Sequence, residues 1–288
     1  VGESDSSLAR LNSSVHVQLE GSANMELLAF TTDKMSWAFL MSALRHMQAD
    51  EGMDSSVDLN LEAPPCVVLS CVAVEAFVNE LSSLTNSFLF ERAGTDYAGR
   101  SNPKQALHAV ASGTLKEVAR IRCDGHDSFY VRYKRLLCVF GLDKPRLLAD
   151  LSVLGKARDA LVHFRKCDVP IIQDQNGVIR VGQDLPAEIA ALQSQYYGGR
   201  CVLAPAPGEG QEWTLRMETD AMAAWSVNLA LDAILFVLDH LPAGEHRDFV
   251  WKSYANRDST FSTLFARGKN ELETWWHTIV RPNHDTEP

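Results

Sequence analysis

The sequence predicts a mainly α fold: a helical bundle carrying a small β insertion and a short N-terminal β segment. Three observations carry this. CVVLSCVAVEAFVNELSSLTNSFLFE and AMAAWSVNLALDAILFVLDHL are apolar nearly all round, as helices packed on several sides are. Shorter stretches between them place apolar residues at helical spacing. Only residues 168 to 218 change texture, with turn signals between alternating runs.

In chain order, VGESDSSLARLN reads as a flexible start. VHVQLEG alternates and MELLAF follows GSAN, so residues 15 to 30 suggest a strand or small hairpin. KMSWAFLMSALRHMQAD, 34 to 50, has helical spacing at Trp37, Leu40, Met41 and Leu44. Pro64 and Pro65 then open the long central helix, where a missing N–H had no intrahelical partner anyway. Its polar exceptions, Glu75, Asn79, Ser83 and Asn86, fall roughly on one line, and a polar line on a buried helix needs partners. ALHAVASGTLKEVARI predicts a helix interrupted near Gly113. DSFYVRYKRLLCVFG predicts another through Phe129, Tyr133, Leu136, Leu137 and Phe140, and RLLADLSVLGKARDALVHFRK a third. VPIIQDQNGVIRV carries an Asn-Gly hairpin signal. RCVLAP and EWTLRME read as two more short strands flanking APGEGQ. A weaker aromatic helix around LETWWHTIV and a polar tail close the chain. The expected organisation is an N-terminal segment over 1–30, a helical domain over 31–245 with its insertion at about 168–218, and a C-terminal helix and tail over 246–288.

The bulk properties bound the function. In 288 residues, 46% are apolar and 22% charged, enough for a sizeable core. A formal charge of −10 argues against a general nucleic-acid coat protein but not against a local basic groove. Six cysteines are thinly spread without a CxxC pair, and several sit in apolar runs, so a reducing, cytoplasmic setting without a disulfide framework is expected. The N-terminal residues lack a basic-plus-apolar signal pattern. Asn228, Asp232 and Asp239 interrupt the most apolar late segment, which reads as a buried helix rather than a membrane span.

One residue breaks the pattern. At ~100° per residue, Leu147, Leu151, Leu154, Arg158, Leu161, Val162 and Arg165 share one arc of a helix. Arg158 therefore faces inward with the leucines. An unpaired buried guanidinium would cost several kcal/mol, so it needs a carboxylate, an anionic ligand or an opening to solvent. Glu75, on the polar line of the central helix, is one candidate partner. Asp159 and His163 stack four residues apart on the neighbouring face, where the carboxylate can fix the imidazole tautomer. Arg158 and His163 lie about 140° apart around a straight helix, so a distorted helix end or a second copy of the helix is needed to aim both at one group. The neighbourhood is basic. Residues 129 to 166 hold Arg132, Lys134, Arg135, Lys144, Arg146, Lys156, Arg158, Arg165 and Lys166 against Asp143, Asp150 and Asp159, a net of +6. A positive sector on an acidic chain suits a polyanion.

Arg158-Asp159-x-x-x-His163, within ARDALVHF near a helix end, resembles the Arg-polar-x-x-x-His motif of the HEPN superfamily. SCVAVEAFVNEL resembles the core helix that precedes it in those proteins, and AWSVNLALDAIL the helix that closes their bundle. The similarity covers roughly 35–166 and 218–242. It implies a HEPN-like antiparallel helical bundle that commonly dimerises, with two motifs facing each other across a cleft. Many members are metal-independent endoribonucleases of toxin–antitoxin, phage-defence and CRISPR systems, and others keep the fold without cutting RNA. By this resemblance His163 would move the proton of an RNA 2′-OH or of the leaving 5′ oxygen. Arg158 would stabilise the phosphorane-like transition state, and Asp159 would orient His163. Arg165, Lys166 and Lys156 would hold flanking phosphates, with Glu75 and Asn79 in support. The partners implied are RNA, a second copy of the chain and an antitoxin protein, with no membrane and no cofactor. A silent HEPN-type module for dimerisation or for partner, nucleotide or RNA binding is the alternative.

Other chemistries find little footing. His163 with Cys167, and Cys123-x-x-His126, have metal-pair spacing, but neither has a second pair at suitable distance. Trp275-Trp276 reads as core or interface rather than a base-stacking platform. G-x-S-x-G, H-E-x-x-H, the P-loop and G-x-G-x-x-G before a helix do not occur.

Overall fold

The structure, a computed structural model, describes residues 34–48, 60–96, 113–121, 128–163, 171–173, 179–181, 185–205, 213–256 and 262–280. It is mainly helical. Its elements are α1 (Met35–Gln48), α2 (Ala63–Asp96), α3 (Gly113–Ala119), α4 (Phe129–Val139), α5 (Pro145–Val162), β1 (Ile171–Gln173), β2 (Ile179–Val181), β3 (Tyr196–Tyr197), β4 (Arg200–Cys201), α6 (Asp220–Asp239), α7 (Glu245–Tyr254) and α8 (Leu264–Val280). Two 3-10 segments, Ala187–Ser194 and Trp213–Met217, flank the β3–β4 hairpin. The strand or hairpin expected over 15–30 lies outside the described residues.

Helix α2 is the hub. Its lack of a polar face is explained by its neighbours: α1, α3, α4, α5, α6 and α7 all pack on it. Val67, Val74, Phe77, Val78 and Leu81 are buried there, each fully buried side chain stabilising by roughly 1.5–3 kcal/mol. Helix α6 is the second core element, packed against α1, α2, α5 and α8. Two of its interrupting polar residues are matched and the third, Asp239, is exposed: Asn228 donates to Asp232 at 2.8 Å, and Lys269 of α8 bonds both, reaching Asp232 at 2.7 Å. By length and composition α2 and α6 could each cross a membrane, but 61% and 78% of their apolar windows are buried within the bundle.

Polar residues fix how the helices meet. The Glu80 carboxylate, buried on α2, receives the Ser36 N–H at 2.8 Å, the Ser36 hydroxyl at 2.5 Å and the Tyr254 hydroxyl at 2.8 Å. It therefore caps the first turn of α1 from inside and ties α7 to the same point. The start of α2 is joined to the start of α6 by Asn60, whose backbone N–H donates to Glu218 and whose amide donates to Asp220 at 2.9 Å. Thr219 caps α6 by accepting from the Met222 N–H while donating to the Val202 carbonyl at 2.7 Å. Ser82 and Asn86 of α2 both donate to the Ala119 carbonyl, the last of α3. Of the expected polar line, Glu75, Asn79 and Asn86 find partners and Ser83 is exposed.

The insertion is smaller than its sequence suggests. β1 and β2 pair antiparallel, Ile171 opposite Val181, as the Asn-Gly signal predicts. RCVLAP contributes only Arg200 and Cys201 to β4, which pairs with β3 across Gly198 and Gly199. Both glycines have positive φ, 53° and 83°, as a type I′ turn requires. EWTLRME is not a strand. Trp213 and Met217 are buried while Leu215 between them is exposed, and burial at i and i+4 but not i+2 selects a helical turn. The residues after 245 join the main core: Val250, Tyr254, Phe265, Leu272, Trp275 and Trp276 are all buried in it. Helix α7 goes unmarked in the sequence reading.

One buried histidine makes the fold acid-sensitive. His246, 7% exposed, has its pKa lowered from 6.5 to about 4 by burial. The folded protein holds it neutral, while the unfolded chain binds a proton below pH 6.5. Its share of stability is thus present above pH 6.5 and lost as pH falls towards 4. The expected loss is about 2 kcal/mol, allowing for water that reaches the adjoining cleft. Denaturant unfolding at pH 7 and pH 4.5, beside His246→Gln, checks this; the variant should show a smaller difference between the two pH values.

Candidate functional site

The site predicted from the sequence lies at the last two turns of α5. The helix begins with Pro145 at its first position and buries Leu147, Leu151 and Leu154. The arc drifts outward towards the end. Arg158 is half-buried with its side chain 25% exposed, and Val162, expected inside, is 55% exposed. Val162 sits about 60° from Leu147 on the wheel, at the margin of the packed stripe. Lys156, Asp159 and His163 share the opposite, exposed face.

The Arg158 stem is held from both sides. Phe129 of α4 packs on α5 at Gly155, where an added Cβ would lie 2.9 Å from the ring. The guanidinium carbon of Arg158 stands 6.0 Å from that ring's centre. Its Nε is shut off from solvent without a hydrogen-bond partner, and its tip pairs with Asp159 at 2.8 Å. Aromatic contact and ion pair replace the partner expected on α2.

Glu75 is engaged elsewhere. It pairs with Arg132 of α4, which is 5% exposed and also donates to Asn79 at 3.0 Å. The expected Glu75–Arg158 pair is therefore corrected: Arg132 is the deeper cation and takes the carboxylate. The two clusters remain neighbours through Cys71, one turn before Glu75. Its thiol donates to the Leu154 carbonyl of α5 at 3.6 Å. Burial raises the Cys71 pKa to about 12, against the pull of Arg158 and with the push of Asp159 and Glu75. Cys71 is an inert thiol here, not a nucleophile.

Asp159 and His163 are also corrected. Their side chains do not bond each other, because the Asp159 carboxylate is taken by Arg158. What joins them is the helix-ending bond from the His163 N–H to the Asp159 carbonyl, 2.9 Å. His163 caps α5 with φ −102° and ψ 22°, leaving the helical conformation, and its imidazole is exposed. Arg165 and Lys166 lie outside the described residues. Arg158 and Asp159 are thus brought together directly and Glu75 and Asn79 join through Arg132, while His163 and Lys156 are exposed on the outer face, with no side-chain partner among the described residues. Of the wider basic sector, Lys134, Arg135, Lys144 and Arg146 are exposed.

Arg132 is the residue that sequence reasoning counted only as surface charge. Its signal was present: it lies three after Phe129 and four before Leu136, on the apolar arc of its own helix. Among the described residues, no group of three or more His, Cys, Asp or Glu side chains gathers in metal-binding range. No known family profile, curated protein or solved structure matches the chain.

Proposed function

We propose that this chain is a metal-independent endoribonuclease of HEPN type that works as a homodimer. One observation carries the reading. The ion pair with Asp159 draws the guanidinium of Arg158 out of the leucine stripe towards the exposed face that bears His163. An arginine with a half-buried stem and a solvent-facing imidazole thereby share the end of one helix. Those are the two groups that RNA transesterification needs.

In this mechanism neutral His163 takes the 2′-OH proton, and the 2′ oxygen attacks the adjacent phosphorus. The bond from phosphorus to the 5′ oxygen breaks, and that oxygen leaves with a proton from an imidazolium. The products are a 2′,3′-cyclic phosphate and a 5′-OH. Arg158 neutralises charge on the pentacovalent phosphorus, and DNA is inert because it lacks the 2′-OH. Asp159 acts on Arg158, not on His163, as a positioning residue. Lys156, with Arg165 and Lys166, meets flanking phosphates. An antitoxin protein that covers the exposed face of α5 would suit a toxin.

A silent module is the second reading, and the same ion pair favours it: a guanidinium neutralised by Asp159 has less charge to offer a phosphate. One assay separates the two. Purified protein is incubated in EDTA with structured and unstructured RNA, beside Arg158→Ala and His163→Ala. The parent should cut, and each variant should lose at least ~100-fold. Cutting that persists in both variants removes the site assignment, and a parent inert on every RNA leaves the silent module. A sedimentation measurement on the same sample should give a dimer.

A further inference from the structure

A second site stands apart from α5 and does not depend on the ribonuclease reading. A cleft of about 280 Å³ opens between the C-terminal half of α2, α3, the end of α4 and the loop into α7. Phe88, Leu115, Phe140 and Pro242 give it apolar walls, and Arg92 and His246 also line it. At its inner end the His246 ring lies 2.9 Å from the Thr85 hydroxyl through Nε2. That hydroxyl donates to the Leu81 carbonyl at 2.7 Å, so it must accept from the histidine. Nε2 therefore carries the proton, and Nδ1 is left as a bare acceptor with no partner among the described residues. The residue is 7% exposed and lines the cleft, and Nδ1 is the ring atom left open to solvent there. A ligand donor can take the place of water on that lone pair, and so fix its orientation in the cleft.

The rest of the cleft specifies what else the ligand carries. Phe88 meets the His246 ring edge-on at 5.3 Å between centres and turns its own face to Arg92, whose guanidinium lies 5.8 Å from the ring centre. Arg92 is half exposed and pairs with the more exposed Glu245 at 2.9 Å. So exposed and solvent-screened a pair is readily exchanged for a ligand carboxylate. We propose that this cleft binds a small aromatic acid, its ring against Phe88 and Phe140, its O–H or N–H donating to His246 Nδ1 and its carboxylate on Arg92. The volume suits one ring with a short acidic arm, not a nucleotide.

The probe is 4-hydroxyphenylacetate, followed at pH 7 by calorimetry and by the histidine nitrogen signals in NMR. Phenylacetate lacks the donor and 4-ethylphenol lacks the charge. The hydroxylated acid should bind roughly tenfold tighter than either relative. Arg92→Gln, a surface change, should erase the advantage over 4-ethylphenol while leaving the fold intact. His246→Phe should erase the advantage over phenylacetate, and the parent's Nδ1 signal should move on binding even if that variant fails to fold. Absence of saturable binding at millimolar probe overturns the proposal. So does binding that leaves Nδ1 unmoved or ignores Arg92→Gln.

Discussion

Arg132→Ala is expected to cost about 3 kcal/mol of folding stability, whereas Lys134→Ala two residues on should cost less than about 0.5 kcal/mol. Arg132 is 5% exposed and its guanidinium is shared between Glu75 and Asn79. Removing it leaves the Glu75 carboxylate facing α4 without a counter-charge and the Asn79 carbonyl without that donor. Most of the cost is the stranded carboxylate, not the lost attraction, since desolvation offsets much of what a buried pair gains. Arg132→Met with Glu75→Leu should therefore recover most of the loss. Denaturant titrations of the three proteins decide it. A double variant no better than Arg132→Ala would mean the pair itself, with its geometry, holds α4 on α2.

Gly198→Ala is expected to cost about 3 kcal/mol, and Gly199→Ala only about 1 kcal/mol. Both glycines have positive φ, so both substitutions pay the left-handed backbone penalty. They differ in what a methyl group meets. At Gly198 it would lie 2.1 Å from Nε1 of Trp276, and at Gly199 nothing stands within 4 Å. Trp276 is buried, meets Tyr197 edge-on at 4.7 Å and lies under Arg200. The indole cannot step aside without losing those contacts. Thermal unfolding, with tryptophan emission as the local readout, should separate the two variants. Equal losses would mean that backbone conformation alone selects glycine here.

Helical spacing made the main helices readable because their burial is regular: Leu147, Leu151 and Leu154 on α5, or Phe129, Tyr133 and Leu136 on α4. Helix α7 was missed because EHRDFVWKSY mixes four charged residues with four apolar ones and buries only His246, Val250 and Tyr254. EWTLRME passes for a strand on composition, and only the burial of Trp213 and Met217 against exposed Leu215 identifies its turn. At the candidate site, Arg158 was legible as an arginine on an apolar arc, and its half-buried stem follows from that. Its partner was not. Sequence names every carboxylate in reach but not which cation lies deeper, and Arg132 outranks Arg158 for Glu75. Nor does spacing reveal that Asp159 turns to its neighbour at i−1 in preference to His163 at i+4.

The contacts centred on Glu80 bear on how the chain is made. They tie residue 36 to 80 and both to 254, and Trp276 packs against the turn at Gly198. A nascent chain emerging from the ribosome therefore has α2 synthesised long before the last of its neighbours is available. The apolar surface that it gives to α6 and α7 stays uncovered until those helices are made, which makes translation itself an interval of exposure to aggregation.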